Sequence, residues 1–251
     1  MKWKSELDLA VRAAAAASAF LKDAFAREKA VLAEIGRDIK LQADRDAEAR
    51  ILDILRPSGL PVLAEESGES GAIPDDSPVW IVDPLDGTMN FKHGIPLCCV
   101  SLALSVGGRP VLGVIDDFNR GERFSGVPGA GAWLNGAPMR VSTATDPARA
   151  ILATGFPTKF DIGGPAFGQF MASARRFKKV RMLGSAALMM TYVAAGRVDA
   201  YAEDDIMYWD IAAGAALVEA AGGWVQMRPS PADKWARHVR CAASAALWDS
   251  V

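Results

Sequence analysis

Two aspartates three residues apart close a short apolar run, Trp80-Ile81-Val82-Asp83-Pro84-Leu85-Asp86-Gly87-Thr88. A strand that stops in this way presents its last side chains at the edge of a sheet, where open α/β folds place ligands. Held by a rigid proline and a permissive glycine, Asp83 and Asp86 can converge on one hard cation. The backbone N–H groups of Gly87 and Thr88 can meanwhile face an anion. The plainer reading is an Asp-rich turn whose carboxylates only hydrogen-bond nearby backbone.

Two look-alikes are excluded by spacing. Haloacid-dehalogenase phosphatases carry a second aspartate two residues after the nucleophilic one, and Leu85 stands there instead, which argues against an aspartyl-phosphate route. A calcium-binding EF-hand loop counted from Asp83 would need acidic or amide side chains where Leu85 and Gly87 stand, and glutamate where Gly94 stands. Other carboxylates occur in comparable settings. Glu65 and Glu66 follow the apolar run Pro61 to Ala64, so at least one can reach the cation of Asp83, although paired glutamates in a loop are more often simply solvated. Asp210 follows Trp209 and opens the apolar run Ile211 to Ala221, where it can serve as an N-cap or as a ligand. Asp44 lies beside the stripe Ala43, Ala47, Ile51 and Leu55, and read alone it is a surface charge.

These groups need elements to hold them. Helical periodicity predicts a first helix from about Lys4 to Lys29, alanine-rich, and a second through Ala43 to Leu55 that Arg56-Pro57-Ser58-Gly59 ends. The segment from Ser67 to Pro78, rich in Gly, Ser, Asp and Pro, reads as a loop. Short apolar runs at Pro61 to Ala64 and Val79 to Val82 read as strands. Cys98 to Val106 and Val111 to Ile115 flank Gly107-Gly108-Arg109-Pro110 as a hairpin, and Ala130 to Val141 reads as two short strands about Leu134-Asn135-Gly136. After about Asp146 helices and strands alternate: Ala186 to Ala195 helical, Val198 to Ala202 extended, Ile211 to Ala221 helical. The expectation is an N-terminal α+β half (1–145) and a C-terminal α/β half (146–251) in one compact unit.

Composition bounds the function. Of 251 residues 51% are apolar and 23% charged, and 28 basic residues nearly balance 30 acidic ones for a net charge of -2, so no clustered basic surface argues for nucleic acid. The densest basic run, Arg175 to Arg181, reads as a solvated helix end leading into a strand. Three cysteines, Cys98, Cys99 and Cys241, make neither a disulfide framework nor a CxxC pair, which fits a reducing compartment. Charges interrupt the alanine run near the N-terminus, and no apolar stretch is long enough to span a bilayer. A cytoplasmic protein without a membrane partner is expected.

In this order the pieces resemble the inositol monophosphatase family, within the group that includes fructose-1,6-bisphosphatases and 3'-phosphonucleotide phosphatases. The resemblance rests on Leu63-Ala64-Glu65-Glu66-Ser67, on Trp80 to Phe91, and on Trp209-Asp210-Ile211-Ala212-Ala213-Gly214 followed by Glu219 to Gly223. Gly131 to Gly136, Gly184-Ser185-Ala186-Ala187 and Gly196 to Tyr201 echo further family stretches. Coverage runs from about Asp38 to Gly223.

What the resemblance implies is an α+β fold, a layered αβαβα sandwich, with two or three Mg²⁺ ions per site. Glu65, Asp83, Asp86 and Asp210 would be carboxylate ligands, joined by the main-chain carbonyl of Leu85. Thr88, paired with Asp44, would position or deprotonate the attacking water, while the N–H groups of Gly87 and Thr88 hold phosphate. Glu203, seven residues before Asp210, matches the family's hydroxyl-binding glutamate, although Glu203-Asp204-Asp205 also reads as an acidic loop. Backbone groups at Gly184, Ser185 and Ala186 would line the same pocket. Lithium sensitivity and a homodimer are further implications.

The implied reaction is Mg²⁺-dependent hydrolysis of a small polyol or sugar phosphate. Met89 after the DGT triplet, Asp116-Asp117-Phe118, and the absence of a serine counterpart in Thr154 to Pro157 depart from the family pattern and bear on substrate. Fructose-1,6-bisphosphatase, histidinol-phosphate phosphatase and 3'-phosphoadenosine 5'-phosphate phosphatase are the enzymatic alternatives. Asn90-Phe91 favours the inositol and sugar branch. A regulatory or binding module that retains the fold is the non-enzymatic one.

Overall fold

The computed structural model describes residues 1–27, 31–35, 38–71, 73, 76–156 and 165–251. The chain begins with helix α1 (Lys4–Phe25), a hairpin of β1 (Val31–Ile35) and β2 (Asp38–Leu41), and helix α2 (Gln42–Leu55). Next come β3 (Val62–Ala64), β4 (Gly68–Ser70), β5 (Pro78–Asp86), the short helix α3 (Thr88–Lys92), β6 (Cys99–Val106), β7 (Arg109–Asp117), β8 (Glu122–Val127), β9 (Gly131–Leu134) and β10 (Ala137–Pro138). The remainder is β11 (Ile151–Thr154), α4 (Pro165–Ala174), β12 (Lys179–Arg181), α5 (Ala186–Ala194), β13 (Ala200–Met207), α6 (Tyr208–Ala220), β14 (Trp224–Pro229), β15 (Ala236–Ala242) and α7 (Ala245–Trp248).

Hydrophobic patterning sorts the helices into layers. On α1 the buried residues Leu7, Ala10, Ala13, Ala14, Ala17 and Leu21 form one stripe, and α2 contributes Ala47, Ile51 and Leu55. These two helices cover one face of an eight-stranded sheet, β10-β9-β8-β7-β6-β5-β3-β4, packing on Trp80, Val82, Leu102 and Val114. In contrast α5 is buried along its whole length and α6 nearly so. Helices apolar on all sides need cover on all sides. They lie between the opposite face of the large sheet (Ile81, Ala103, Ile115, Phe124) and a five-stranded sheet, β12-β11-β13-β15-β14, which contributes Ala153, Tyr201, Val239 and Cys241. The outer face of that second sheet packs Leu152, Ala200 and Ala242 against Leu247 of α7. The fold is thus the expected α+β sandwich of αβαβα layers.

Close approach at the central interface depends on Gly113 of β7: a methyl there would lie 2.3 Å from the Ala213 carbonyl oxygen of α6. Several sequence expectations change. The first helix ends at Phe25, capped by Ala26, and the last residues of its expected span, up to Lys29, lie outside the described residues. The segment read as a loop from Ser67 contains β4, an edge strand that pairs antiparallel with β3, where the Val62 N–H also donates to the Ser70 hydroxyl oxygen at 3.1 Å. The hairpin at Gly107-Gly108 is present, joining β6 to β7, and the basic run after α4 does lead into β12.

Candidate active site

Strand β3 runs parallel to β5 with Ala64 opposite Val82, and the Glu65 N–H donates to the Val82 carbonyl at 3.1 Å. The next residues, Glu65 and Asp83, therefore emerge side by side at one sheet edge. A regular strand would point residues three apart to opposite faces. Here β5 pairs Asp83 with Ser101 but Asp86 with Cys99, so three residues face two and a bulge forms. The bulge returns Asp83 and Asp86 to one side. Gly87 then turns the chain into α3 with φ of 89°, and a methyl on it would lie 2.8 Å from the Leu97 carbonyl oxygen. Only glycine suits both demands.

Asp83 is 1% exposed. Burial pushes its carboxyl well above the usual range, and the charges of Glu65, Asp86 and Asp210 push it further; the Glu65 and Asp83 carboxyls also share a hydrogen bond. Asp83 Oδ1 accepts from the Leu85 N–H at 2.9 Å, which closes the Asp-Pro-Leu turn. Asp86 rises to about 6, again chiefly through burial, with opposing stabilisation from donors at the start of α5. The Ser185 hydroxyl and the Ala187 N–H (2.8 Å) both donate to Asp86 Oδ2, joined by the Ala186 N–H. A helix amino end favours a carboxylate by its unpaired N–H groups and its dipole. The same Ser185 oxygen caps α5 by accepting from the Leu188 N–H at 3.2 Å.

Asp210 reaches the cluster from the first turn of α6. It is the third residue of that helix, not its N-cap, which is Met207. Burial raises its pKa most, followed by Glu65, Asp86 and Glu203, while a hydrogen bond from the Met207 N–H lowers it. Glu203, 9% exposed on β13, rises to about 7 through burial and the charges of Asp86 and Asp204; the Tyr201 hydroxyl, donating at 2.7 Å, opposes this. Its carboxylate packs on Gly155, where a methyl would lie 2.3 Å from Glu203 Oε2. A bulge in β13 beyond Glu203, with Asp205 at a φ of 56°, precedes α6.

Carboxylates at Glu65, Asp83, Asp86, Glu203 and Asp210 thus act on one another through charge across four segments distant in sequence. Among the described residues, no three acidic, histidine or cysteine side chains are grouped closely enough to hold a metal ion as they stand. Asp44, 2% exposed, accepts from the Leu41 N–H through Oδ2 at 2.6 Å. The Thr88 hydroxyl donates to the Leu85 carbonyl at 3.0 Å, so its one proton is directed there and not to Asp44.

A model of the inositol monophosphatase family matches residues 3–248. The chain belongs to that family. Nus factor SuhB of Escherichia coli (strain K12) is 40% identical over 227 residues, covering 87% of this chain and 84% of the relative. Inositol monophosphatase 3 of Solanum lycopersicum is 37% identical over 226 residues, with 87% and 84% covered. The solved inositol monophosphatase of Anabaena (Nostoc) sp. PCC 7120 shares the fold at a TM-score of 0.85 and 34% identity, covering 99% of this chain and 94% of that one. The inositol monophosphatase family is one of phosphatases and is in general metal-dependent.

Within this family fold, several participants escape sequence reasoning. Ser185 and Ala186 were expected to offer backbone to a ligand, and the structure turns the Ser185 side chain and the Ala186 N–H toward Asp86. Glu48, 4% exposed and one turn beyond Asp44, accepts the Glu66 N–H at 3.0 Å and so holds the turn that carries Glu65. Its four-residue spacing from Asp44 was a usable signal. So was the two-residue spacing of Tyr201 from Glu203, which sets both on one face of β13. Among the described residues no helix is long and apolar enough to cross a membrane.

Proposed function

We propose that the chain is a Mg²⁺-dependent phosphomonoester hydrolase that acts on a small polyol or sugar phosphate by direct attack of water. The observation that carries the reading is Asp83. A carboxyl this buried, with three other carboxylates as the charges acting most strongly on it, keeps its proton unless cations offset those charges. The donors are all hard oxygens, from Glu65, Asp83, Asp86, Asp210 and the Leu85 carbonyl, which suits Mg²⁺ over softer metals. When bound, such ions supply charge neutralisation for the phosphate and the leaving alkoxide and acidify water.

The chain's own groups do the rest. The N–H groups of Gly87 and Thr88 hold the phosphate, and Asp44 with Thr88 orients the attacking water. The Leu85 carbonyl, which accepts the Thr88 hydroxyl at 3.0 Å, is among the oxygens that would hold the ion. Glu203, fixed by Tyr201 and Gly155, accepts hydroxyl protons of the polyol, with the 184–186 segment beside it. Sensitivity to lithium, a cytoplasmic location and a homodimer belong to the same reading.

The test is phosphate release, with and without Mg²⁺, from inositol 1-phosphate, fructose 1,6-bisphosphate, histidinol phosphate, 3'-phosphoadenosine 5'-phosphate and several sugar phosphates. One preferred, Mg²⁺-dependent substrate is expected, and Asp83→Asn should abolish its turnover while leaving a folded protein. Turnover retained in that variant would remove Asp83 from the centre. A second reading is motivated by the name Nus factor carried by the E. coli relative: a regulatory or binding module on the same fold. Silence of the wild-type protein across the panel would favour it.

A further inference from the structure

The Asn90 side chain joins three segments that the carboxylate edge depends on. Its amide nitrogen donates to the Leu97 carbonyl at 2.7 Å and to the Leu183 carbonyl at 2.8 Å, with the Gly184 carbonyl at 3.3 Å. A primary amide has two protons, so the first two oxygens take them and the third lies at the margin. Leu97 stands just before β6, and its carbonyl is also the atom that forbids a side chain at Gly87. Leu183 and Gly184 immediately precede Ser185, whose hydroxyl holds Asp86 and caps α5. Gly184 has a φ of 73°, and a methyl on it would lie 3.0 Å from the Asn90 amide nitrogen. The amide therefore fills a slot that the missing side chain of Gly184 leaves for it.

We propose that Asn90 is a positioning residue that clamps the 183–185 segment to the turn after Asp86, holding the amino end of α5 on Asp86 and fixing the substrate-facing wall. Part of this rests on the phosphatase reading, because the wall is that reading's pocket. The physical argument is local. Between Arg181 and Ala186 the chain has no strand or helix ladder, and none of the hydrogen bonds that Leu183 or Gly184 makes through its own N–H is with another backbone group of the described residues. Asn90 thus anchors the Leu183 carbonyl of this stretch, with the Gly184 carbonyl at the margin, from a residue more than ninety positions away in sequence. No other common side chain of this size offers two protons: aspartate keeps the shape and offers oxygens alone, so it sets a carboxylate against two carbonyls.

The experiment compares wild type, Asn90→Asp and Asn90→Ala, with Asn135→Ala as a control. Asn135 also bridges backbone groups, through Gly121 and Arg123, but in the β8–β9 hairpin region away from the carboxylates. Two readouts are taken: steady-state kinetics at saturating Mg²⁺ on the preferred substrate, and amide hydrogen exchange of residues 183–188. Both Asn90 variants should raise exchange of that segment about tenfold, the protection lost when a part-buried hydrogen bond goes. KM should rise about tenfold with kcat changed less than threefold, a loss of binding that ground state and transition state share. Asn135→Ala should do neither. Exchange at 183–188 equal to wild type, or a KM within twofold of it, overturns the inference, as does a loss that Asn135→Ala reproduces. If wild type releases no phosphate the phosphatase reading fails, and the exchange data then decide the clamp alone.

Discussion

Glu203 gives a prediction whose size follows from its surroundings. Its carboxyl rises from an ordinary 4.5 to about 7, mainly because burial disfavours the charge and secondarily because Asp86 and Asp204 repel it. At roughly 1.4 kcal/mol per pH unit, that rise means about 3 kcal/mol spent on ionising Glu203 in the folded, metal-free protein. The sign follows from proton counts. Between pH 4.5 and about 7 the folded state keeps a proton that the unfolded state has released, so stability falls as pH rises and the loss is complete above about 7. Glu203→Gln removes the charge and keeps the shape, and its amide oxygen still accepts the Tyr201 hydroxyl. In EDTA, the variant and wild type should therefore unfold together at pH 4. At pH 8 the variant should be more stable by about 3 kcal/mol, or about 6–12 °C in Tm for a chain of this size. Carboxylates that do not feel Glu203 cancel in the difference, and Asp210, whose pKa the Glu203 charge raises, shifts it in the same direction. Mg²⁺ should narrow the gap, because cations near Asp86 relieve part of the repulsion. Chemical or thermal denaturation across pH 4–8 measures this, and a gap independent of pH, or a variant less stable at pH 8, would refute the reasoning.

The same substitution should alter preference among polyol phosphates more than hydrolysis of a simple phosphate ester, and an unchanged preference across the substrate panel would remove Glu203 from the pocket. Ser185→Ala takes away a donor to Asp86 and the cap on the Leu188 N–H; a loss of about 1–3 kcal/mol in urea denaturation is expected, and a neutral result would deny the hydroxyl both roles. Gly113→Ala puts a methyl 2.3 Å from the Ala213 carbonyl oxygen, so α6 must shift from β7 at a cost of about 1–3 kcal/mol or more. Wild-type stability in that variant would contradict the close packing of the central layer.

Much of this protein is legible one segment at a time. The run through Asp83 and Asp86 announces a strand ending in two carboxylates because strand, proline, aspartate and glycine are local preferences acting over a few residues. The runs Ala186 to Ala195 and Ile211 to Ala221 likewise read as helices, and their burial between the two sheets is the reason for their apolar character. Resemblance carried the family and the fold, which the family match and the shared solved fold bear out.

Tertiary structure decided what depends on partners distant in sequence. Strand β4 is Gly-Glu-Ser, with no pattern to announce it; only the backbone of β3 makes it a strand. Asp210 reads as an N-cap because aspartate favours that place, but the helix starts before it, at Tyr208, with Met207, the last residue of β13, as its N-cap. The bulge that turns Asp83 and Asp86 to one side exists only in the pairing of β5 with β6. Asp86 meets Ser185 and Ala187 across a separation of about a hundred residues, and Glu203 feels Asp86 from the other sheet. Local sequence selects the carboxylates, because side-chain chemistry and backbone propensity are properties of a few neighbouring residues. Their mutual charge arises only when the folded layers bring them together out of water.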